Sequence, residues 1–213
     1  MLKVWGRKTS SNVQALMWCI GELELEYERY DTGHIYGGTD TAGFKAMNPN
    51  QTIPVLQDGT NDPLWETGAI LRYLATRYAN DAFWPTELLA RSNVDKWAEW
   101  SKLNIAMNFT SPIFWCAVRT APKDQDHAAI QNAVKSLENN LLIADQQLTT
   151  SDYLAGSNLT VADIQLGHVL FRYYDIEIER ATFPALEAYY DRLKNRPAYQ
   201  THVMISYDEL RVI

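Results

Sequence analysis

Cysteine is scarce in this chain of 213 residues, which contains only two. Cys19 and Cys116 lie in the apolar stretches ALMWCIG and IFWCAV, and no CxxC pair is present. A disulfide framework is therefore not expected, and isolated thiols in apolar surroundings fit a reducing compartment. The sequence also has no HExxH motif and no Cys/His cluster, so we expect no metal site.

Long hydrophobic runs and an excess of positive charge are missing as well. No apolar run approaches the ~18 residues needed to cross a membrane. The N-terminal segment MLKVWGRKTSSN also lacks the apolar core of a secretory signal. The formal net charge is −7, which disfavours binding to nucleic acid or to an anionic membrane surface. We therefore expect a cytoplasmic protein with no nucleic-acid partner and no membrane partner.

The first eighty residues alternate between strand patterns and helix patterns. Strand-like apolar segments occur at 2–5, 25–31, 54–57 and 63–65. Apolar residues at helical spacing follow the first and the last of these segments. The glycine-rich segment 33–43 favours an irregular loop. The order β-α-β-loop-β-β-α is typical of a thioredoxin-like domain.

Strand patterns stop after residue 80. The segment NDAFWPTE contains a proline and turn-forming residues, which indicates a linker at 81–87. Helical spacing of apolar residues then continues through 88–213. Within this part, Thr160 and Asp163 have the spacing of a capping box, which explains this acidic residue better than acid catalysis does. The sequence predicts an α/β, thioredoxin-like domain at 1–80 followed by an all-helical bundle domain.

Hydroxyl residues precede the first expected helix. Thr9, Ser10 and Ser11 stand in a row before Asn12, and no cysteine lies among them. A hydroxyl at a helix N-terminus can donate to a bound thiolate, and the helix dipole and free N–H groups lower the pKa of a thiol. Without a cysteine in this loop, such a thiol belongs to a substrate. A plain helix cap is the alternative explanation for these serines.

A second polar group follows downstream, in the segment NPNQTIPVLQDGTNDPLWETGAILR. Pro54 opens an apolar strand, and a cis bond before it would present the Ile53 backbone to an extended peptide. Glu66 and Thr67 stand at the start of the next helix, whose N–H groups suit a carboxylate. Glu66 can also accept from an ammonium group. Together these groups can bind a small extended peptide that carries a free carboxylate and a free ammonium group at one end.

In order and spacing, these motifs resemble those of the cytosolic glutathione S-transferases. GRKTSSNVQALMW resembles the catalytic-serine loop of the serine-type members, and MNPNQTIPVL with LWETGAILRYL resembles their cis-proline and Glu/Gln-Ser segments. LTVADI resembles the helix-capping motif of their second domain. The likeness covers nearly the whole chain and is greatest to bacterial theta-like members. It implies a detoxifying transferase that holds glutathione, its co-substrate, as a thiolate and conjugates it to a small electrophile.

The resemblance also implies roles for particular residues. Ser10 is the expected thiolate donor, with Ser11 and then Thr9 as alternatives and Asn12 as a further donor to the same sulfur. The implied glutathione-binding residues are Gln51, Thr52, Ile53, Pro54, Glu66, Thr67 and His34. The implied residues of the electrophile pocket are Arg7, Phe109, Trp115 and Arg119, although core packing also explains such aromatic residues. A homodimer is expected, with contacts through the helix at 67–79 and the helix starting near Leu88.

Two alternatives remain open at this point. One is another glutathione-dependent enzyme, such as an isomerase, a dehalogenase or a peroxidase, because all of these use the same thiolate. The other is a binding protein that keeps the fold without the chemistry. The hydroxyl loop, the Ile-Pro edge and the Glu-Thr pair are present together, which favours the enzyme.

Overall fold

The computed structural model describes residues 1–212. A four-stranded sheet forms the centre of its N-terminal part. The strands are β1 (Leu2–Trp5), β2 (Tyr27–Tyr30), β3 (Val55–Asp58) and β4 (Leu64–Trp65). They lie in the order β2-β1-β3-β4, with β1 parallel to β2 and antiparallel to β3, and β3 antiparallel to β4. The strand segments predicted from sequence are thus confirmed, and the fold is thioredoxin-like.

Three helices accompany this sheet, namely α1 (Ser11–Glu22), α2 (Ala42–Met47) and α3 (Thr67–Tyr78). The sequence predicted α1 and α3 but treated 33–43 as an irregular loop. That prediction was only partly right, because a 3₁₀ turn occupies His34–Tyr36 and α2 begins at Ala42. The Thr41 side chain accepts a hydrogen bond from the Phe44 N–H and so caps α2, while the Phe44 ring is buried.

The rest of the chain is helical. The helices are α4 (Leu88–Trp100), α5 (Met107–Phe109), α6 (Cys116–Val118), α7 (His127–Leu148), α8 (Val161–Asp175), α9 (Pro184–Lys194) and α10 (Pro197–His202). Two π-helical segments, Ser101–Ala106 and Thr110–Trp115, join α4 to α6 as one long rod. Pro112 lies inside the second of them, where its missing N–H and its ring are incompatible with regular α-helical bonding. A helical domain thus follows the thioredoxin-like domain, as predicted, while the domain boundaries given above stay predictions.

The capping motif at the start of α8 has the structural role expected of it. Asp163 is fully buried, and its carboxylate accepts hydrogen bonds from the N–H and the hydroxyl of Thr160, at 2.8 and 2.9 Å. It also accepts from the Leu154 N–H at 3.0 Å and the Tyr189 hydroxyl at 3.1 Å. Its oxygens are therefore occupied by the fold itself and are not free for acid catalysis.

The two parts of the molecule pack together across α1. This helix contacts α3 in its own domain and α8 and α10 in the helical domain. Trp18 is fully buried at this contact, and a side chain on Gly167 of α8 would lie 2.8 Å from the Trp18 ring. Only glycine permits so close an approach, so α1 packs directly against α8 at this point. Among the helices of residues 1–212, none is long and apolar enough to cross a membrane.

Candidate active site

The start of α1 is the centre of the candidate site. β1 ends at Trp5, and a short loop leads to Ser10, the N-cap residue of α1, whose backbone is extended at φ −80° and ψ 126°. The Ser10 carbonyl accepts the first helical bond from the Gln14 N–H at 2.8 Å. The Ser10 side chain makes no capping bond, so its hydroxyl is not used to close the helix end. It lies where the positive end of the helix dipole favours an anion.

The neighbouring hydroxyl groups are in different situations. Thr9 is buried, and its hydroxyl donates to the Glu209 carboxylate near the C-terminus. Its carbonyl accepts from the Arg172 guanidinium at 2.6 Å. Ser11 is only 9% exposed, whereas Ser10 is half-buried. Among the three, Ser10 has the best access for a ligand at the helix start, in keeping with the order of preference derived from the sequence.

Asn12 is held by a residue that sequence analysis did not identify. The Lys102 ammonium group donates to the Asn12 side-chain carbonyl at 2.7 Å. Burial lowers the pKa of Lys102, against the opposing effect of the carboxylates of Glu66 and Glu99. Since its oxygen is engaged, Asn12 has its amide N–H groups available as donors. The two residues are 90 positions apart, so no local pattern marks this pair.

The Ile53–Pro54 peptide bond is cis, as the sequence predicted. It directly precedes β3, whose Val55 pairs with Trp5 at the end of β1. A side chain on Gly6 in the loop before α1 would lie 3.4 Å from the Ile53 Cβ. The Ile53–Pro54 segment therefore lies beside the loop that carries Ser10.

The turn that precedes the Ile53–Pro54 bond is stabilised by Asn48, which is buried. Its side-chain amide donates to the Thr52 carbonyl at 2.8 Å. Gln51 and Thr52 are both exposed, and Gln51 has a positive φ of 57°. These two side chains are thus accessible at the edge of the site, as a ligand contact requires.

Glu66 and Thr67 begin α3, as predicted. Glu66 is the N-cap residue with φ 70° and ψ 114°, and its side chain makes no capping bond. A non-glycine residue in such a conformation costs on the order of 1–3 kcal/mol, and backbone strain of this kind is concentrated at functional sites. The Glu66 side chain is exposed and Thr67 is buried. The carboxylate is free to accept from a ligand, and the first N–H groups of α3 lie next to it.

The residues proposed for the electrophile pocket separate into two groups. Phe109 is 1% exposed and packs against Phe114 and Tyr173, so it belongs to the core and we leave it out of the pocket. Trp115 is 45% exposed, and the Arg119 guanidinium lies over its ring at 4.9 Å from the centroid. The aromatic pattern in the sequence does not distinguish Phe109 from Trp115. Which side of the helical rod faces the core is decided by its packing against the other helices.

Arg7 and His34 belong to the thioredoxin-like domain and lie near Arg119. Burial lowers the pKa of Arg7, and the charge of Arg119 lowers it further. His34 is exposed and has a positive φ of 56°. Its pKa is also lowered, first by partial loss of solvent and then by the charges of Arg7 and Arg119. The three cationic or titratable groups are therefore neighbours in space.

The C-terminal segment contacts the loop before α1 and the 3₁₀ turn at His34–Tyr36. The Tyr36 hydroxyl donates to Glu209 at 3.3 Å, and Glu209 also receives the Thr9 hydroxyl. The partners Glu209 and Arg172 were not found from the sequence, because they lie 200 and 163 positions from Thr9. Among residues 1–212, no group of three histidine, cysteine or acidic side chains has an arrangement that could hold a metal ion.

Comparison with family models gives two matches along the chain. Residues 1–76 match the model described as glutathione S-transferase, N-terminal domain. Residues 105–197 match the model described as glutathione S-transferase, C-terminal domain. The matched residues include the loop before α1, the Ile53–Pro54 bond and the start of α3.

Individual proteins are similar over nearly the whole length. The chain is 33% identical over 206 residues to glutathione S-transferase GstB of Escherichia coli K12, covering 96% of this chain and 99% of that protein. It superposes with a TM-score of 0.90 on the theta class glutathione S-transferase of Xanthomonas axonopodis pv. citri with glutathione bound, at 40% identity over 96% and 98% of the two chains. A glutathione S-transferase of Pseudomonas fluorescens gives a TM-score of 0.83 at 27% identity, over 96% and 99%.

Proposed function

This chain belongs to the glutathione S-transferase family, and we propose that it binds glutathione between the start of α1 and the start of α3. It is a glutathione transferase, and glutathione is its co-substrate. The observation that supports the proposed site is the position of Ser10, whose hydroxyl makes no capping bond at the helix N-terminus and whose loop lies beside Ile53. The proposed site needs no metal.

The two ends of the proposed ligand are matched by different elements. The Ile53–Pro54 edge suits the cysteinyl backbone, which pairs with it as an added strand. The N–H groups at the start of α3 suit the α-carboxylate of the γ-glutamyl end, with Thr67 as a further donor and Glu66 as acceptor for the ammonium group. For the glycyl carboxylate we assign Gln51, Thr52 and His34, which are exposed at the edge of the site.

The chemical step uses the sulfur of glutathione and no sulfur of the protein. The thiol releases its proton to solvent, and Ser10 donates a hydrogen bond to the resulting thiolate, with Asn12 as a second donor. The thiolate then forms a bond to an electrophilic carbon, and the leaving group departs with its electron pair. Binding both reactants in one cleft supplies much of the rate enhancement through proximity. We place the electrophile against Trp115, between Arg7 and Arg119.

Features of the surface and of the thiols support a homodimer and a location in the cytoplasm. Apolar side chains are exposed on α3 and at the start of α4, where Tyr78, Leu88 and Leu89 are 37%, 77% and 77% exposed. Such a surface supports a two-fold homodimer through these helices. Both cysteines are free, which supports a location in the cytoplasm.

Calorimetric titration with glutathione tests the proposed site. We expect micromolar to millimolar affinity, roughly −4 to −8 kcal/mol. Glu66→Ala should weaken binding at least tenfold, since it removes the acceptor for the ammonium group, with little change in folding because Glu66 makes no capping bond. Glu26→Ala is the matched control, because Glu26 is also exposed and lies directly before β2. If wild-type protein binds no glutathione at several millimolar, the proposed site is wrong.

A further inference from the structure

Two arginines and a histidine converge at the opening of the cleft. Arg7 lies in the loop before α1, and a side chain on Gly33 would be 3.6 Å from its Nη1 atom. His34 follows Gly33 directly. Arg119 ends the helical rod on the other side, with its guanidinium stacked on Trp115. The first two groups come from the thioredoxin-like domain and the third from the helical domain.

The C-terminal segment fixes these groups in one place. The Val212 N–H donates to the Val118 carbonyl at 3.1 Å, next to Arg119. Glu209, three residues earlier, accepts from the hydroxyls of Thr9 and Tyr36, which lie two residues beyond Arg7 and His34. The C-terminal segment therefore contacts both the loop that carries Arg7 and the helix end that carries Arg119. Their proximity is a property of the packed molecule and does not depend on the flexibility of one side chain.

The positive charges at this place are only partly balanced by the protein. Within residues 1–212, neither Arg7 nor Arg119 forms a salt bridge, and the buried Arg7 Nε has no hydrogen-bond partner. Glu209 is the acidic group near them, and its two oxygens accept the two hydroxyl groups. Its single negative charge offsets only one of the two guanidinium charges. The whole chain has a net charge of −7, so a local excess of cations goes against its overall composition. Like charges held together raise the free energy unless an anion lies between them.

We propose that the electrophile pocket selects substrates that carry a carboxylate, which the guanidinium groups of Arg7 and Arg119 bind while the aromatic body of the substrate lies against Trp115. This inference rests on the proposed transferase function and names its substrate class. Guanidinium groups match carboxylates in a two-point geometry, which a single lysine does not reproduce.

The glycyl carboxylate of glutathione is a second source of the same anion. The position of Arg119 favours the electrophile as the molecule whose carboxylate the arginines bind. Arg119 belongs to the helical domain and is stacked on Trp115, on the side assigned to the electrophile. The residues assigned to the glycyl end, Gln51, Thr52 and His34, all belong to the thioredoxin-like domain. Kinetics with paired substrates separate the two sources.

The test compares 4-chloro-3-nitrobenzoate with the neutral 1-chloro-2,4-dinitrobenzene. Both react by the same step, in which the thiolate bonds to the ring carbon and chloride leaves with the bonding electron pair. Arg119→Gln should lower the ratio of kcat/KM for the anionic substrate to that for the neutral one by about ten- to a hundred-fold, the effect of losing one hydrogen bond to a charged group. Arg7→Gln should act in the same direction, and Arg119→Lys should recover part of the ratio.

Arg91→Gln is the matched control. The Arg91 guanidinium also lies over a tryptophan ring, at 5.6 Å from the centroid of Trp84, but it belongs to α4 and donates to the Pro85 carbonyl. This variant should leave the substrate ratio unchanged. Circular dichroism melting of each variant verifies that it folds, and if Arg7→Gln does not fold, Arg119→Gln alone decides.

Two results would overturn the proposal. An unchanged ratio in Arg119→Gln with a raised KM for glutathione would assign the arginines to the glycyl carboxylate. An unchanged substrate ratio with an unchanged KM for glutathione would show that the arginines bind neither carboxylate. A binding experiment is independent of turnover: 3-nitrobenzoate titrated in the presence of S-methylglutathione should bind wild-type protein and should bind Arg119→Gln at least tenfold more weakly. If turnover is absent, the transferase function fails, and this titration still supports or refutes the anion site.

Discussion

Removal of the Ser10 hydroxyl is the most direct test of how the glutathione thiol is activated. In Ser10→Ala, the backbone bond from the Gln14 N–H to the carbonyl of residue 10 is retained. Loss of an N-cap side chain usually costs about 0.5–2 kcal/mol of stability. Here the side chain makes no capping bond, so the free energy of unfolding should change by less than that. A loss of activity in this variant therefore reports on the chemistry and not on the fold.

The size of the effect follows from one hydrogen bond to a charged sulfur. Losing a bond of this kind costs about 1.5–3 kcal/mol. At ~1.36 kcal/mol per pKa unit, the pKa of the bound glutathione thiol should rise by about one to two units. Turnover at neutral pH should fall roughly ten- to a hundred-fold, and the pH–rate profile should move to higher pH. Glutathione affinity should change little, because the proposed contacts lie mostly elsewhere.

The ultraviolet absorbance of the thiolate measures this pKa directly when the bound complex is titrated with alkali. Ser11→Ala is the matched variant, since it removes the same hydroxyl one position later, from a residue that is 9% exposed. It should have the smaller effect. Asn12→Ala, measured in the same way, reports on the amide that Lys102 holds.

Particular outcomes would refute this reasoning. If Ser11→Ala raises the thiol pKa and Ser10→Ala leaves it alone, the donor is one residue further along the chain. If neither variant changes it, the hydroxyl mechanism fails and activation belongs to Asn12 or to the free N–H groups of α1. A large drop in unfolding free energy for Ser10→Ala would show instead that this serine is a structural cap.

Two further properties can be measured without a substrate. Burial lowers the pKa of His168 to about 3, so below its ordinary value of 6.5 the unfolded chain takes up a proton that the folded protein does not. Stability should therefore fall as pH decreases from 6.5 towards 3, by up to about 1.4 kcal/mol per unit, and urea unfolding of wild type and His168→Gln at pH 7.5 and 4.5 should show a smaller fall in the variant. Sedimentation should detect a dimer at micromolar concentration that Leu88→Glu weakens, and a wild-type monomer under these conditions would contradict the proposed interface.

Much of the fold follows from patterns that are local in the sequence. Each predicted strand depends on a few consecutive apolar residues, and the capping box of α8 depends on Thr160 and Asp163, three positions apart. The cis bond was predicted from one proline in its motif and is present. Helix α2 escaped prediction because it has only six residues and buries one of them, Phe44, which is too short for helical periodicity to be detected.

The candidate site was only partly accessible to the same reasoning. Motifs located the hydroxyl loop and the Glu66–Thr67 helix start, because each is contained in a few residues. Phe109 and Trp115 look alike in the sequence, and only the packing of the helical rod separates a core ring from an exposed one. Lys102 has no distinctive sequence neighbours, and its contact with Asn12 exists because the two domains pack across α1.

These long-range contacts change how the activation of glutathione should be understood. The loop that carries Ser10 belongs to the thioredoxin-like domain, yet Thr9 on one side of it is held by Arg172 and Glu209, and Asn12 on the other side is held by Lys102. All three of these partners lie in the helical domain. Because donors stabilise an anion best when they are held in position beforehand, we expect the helical domain to contribute to thiolate formation as well as to electrophile binding. The thioredoxin-like half alone has the hydroxyl groups but lacks the contacts that hold them in place.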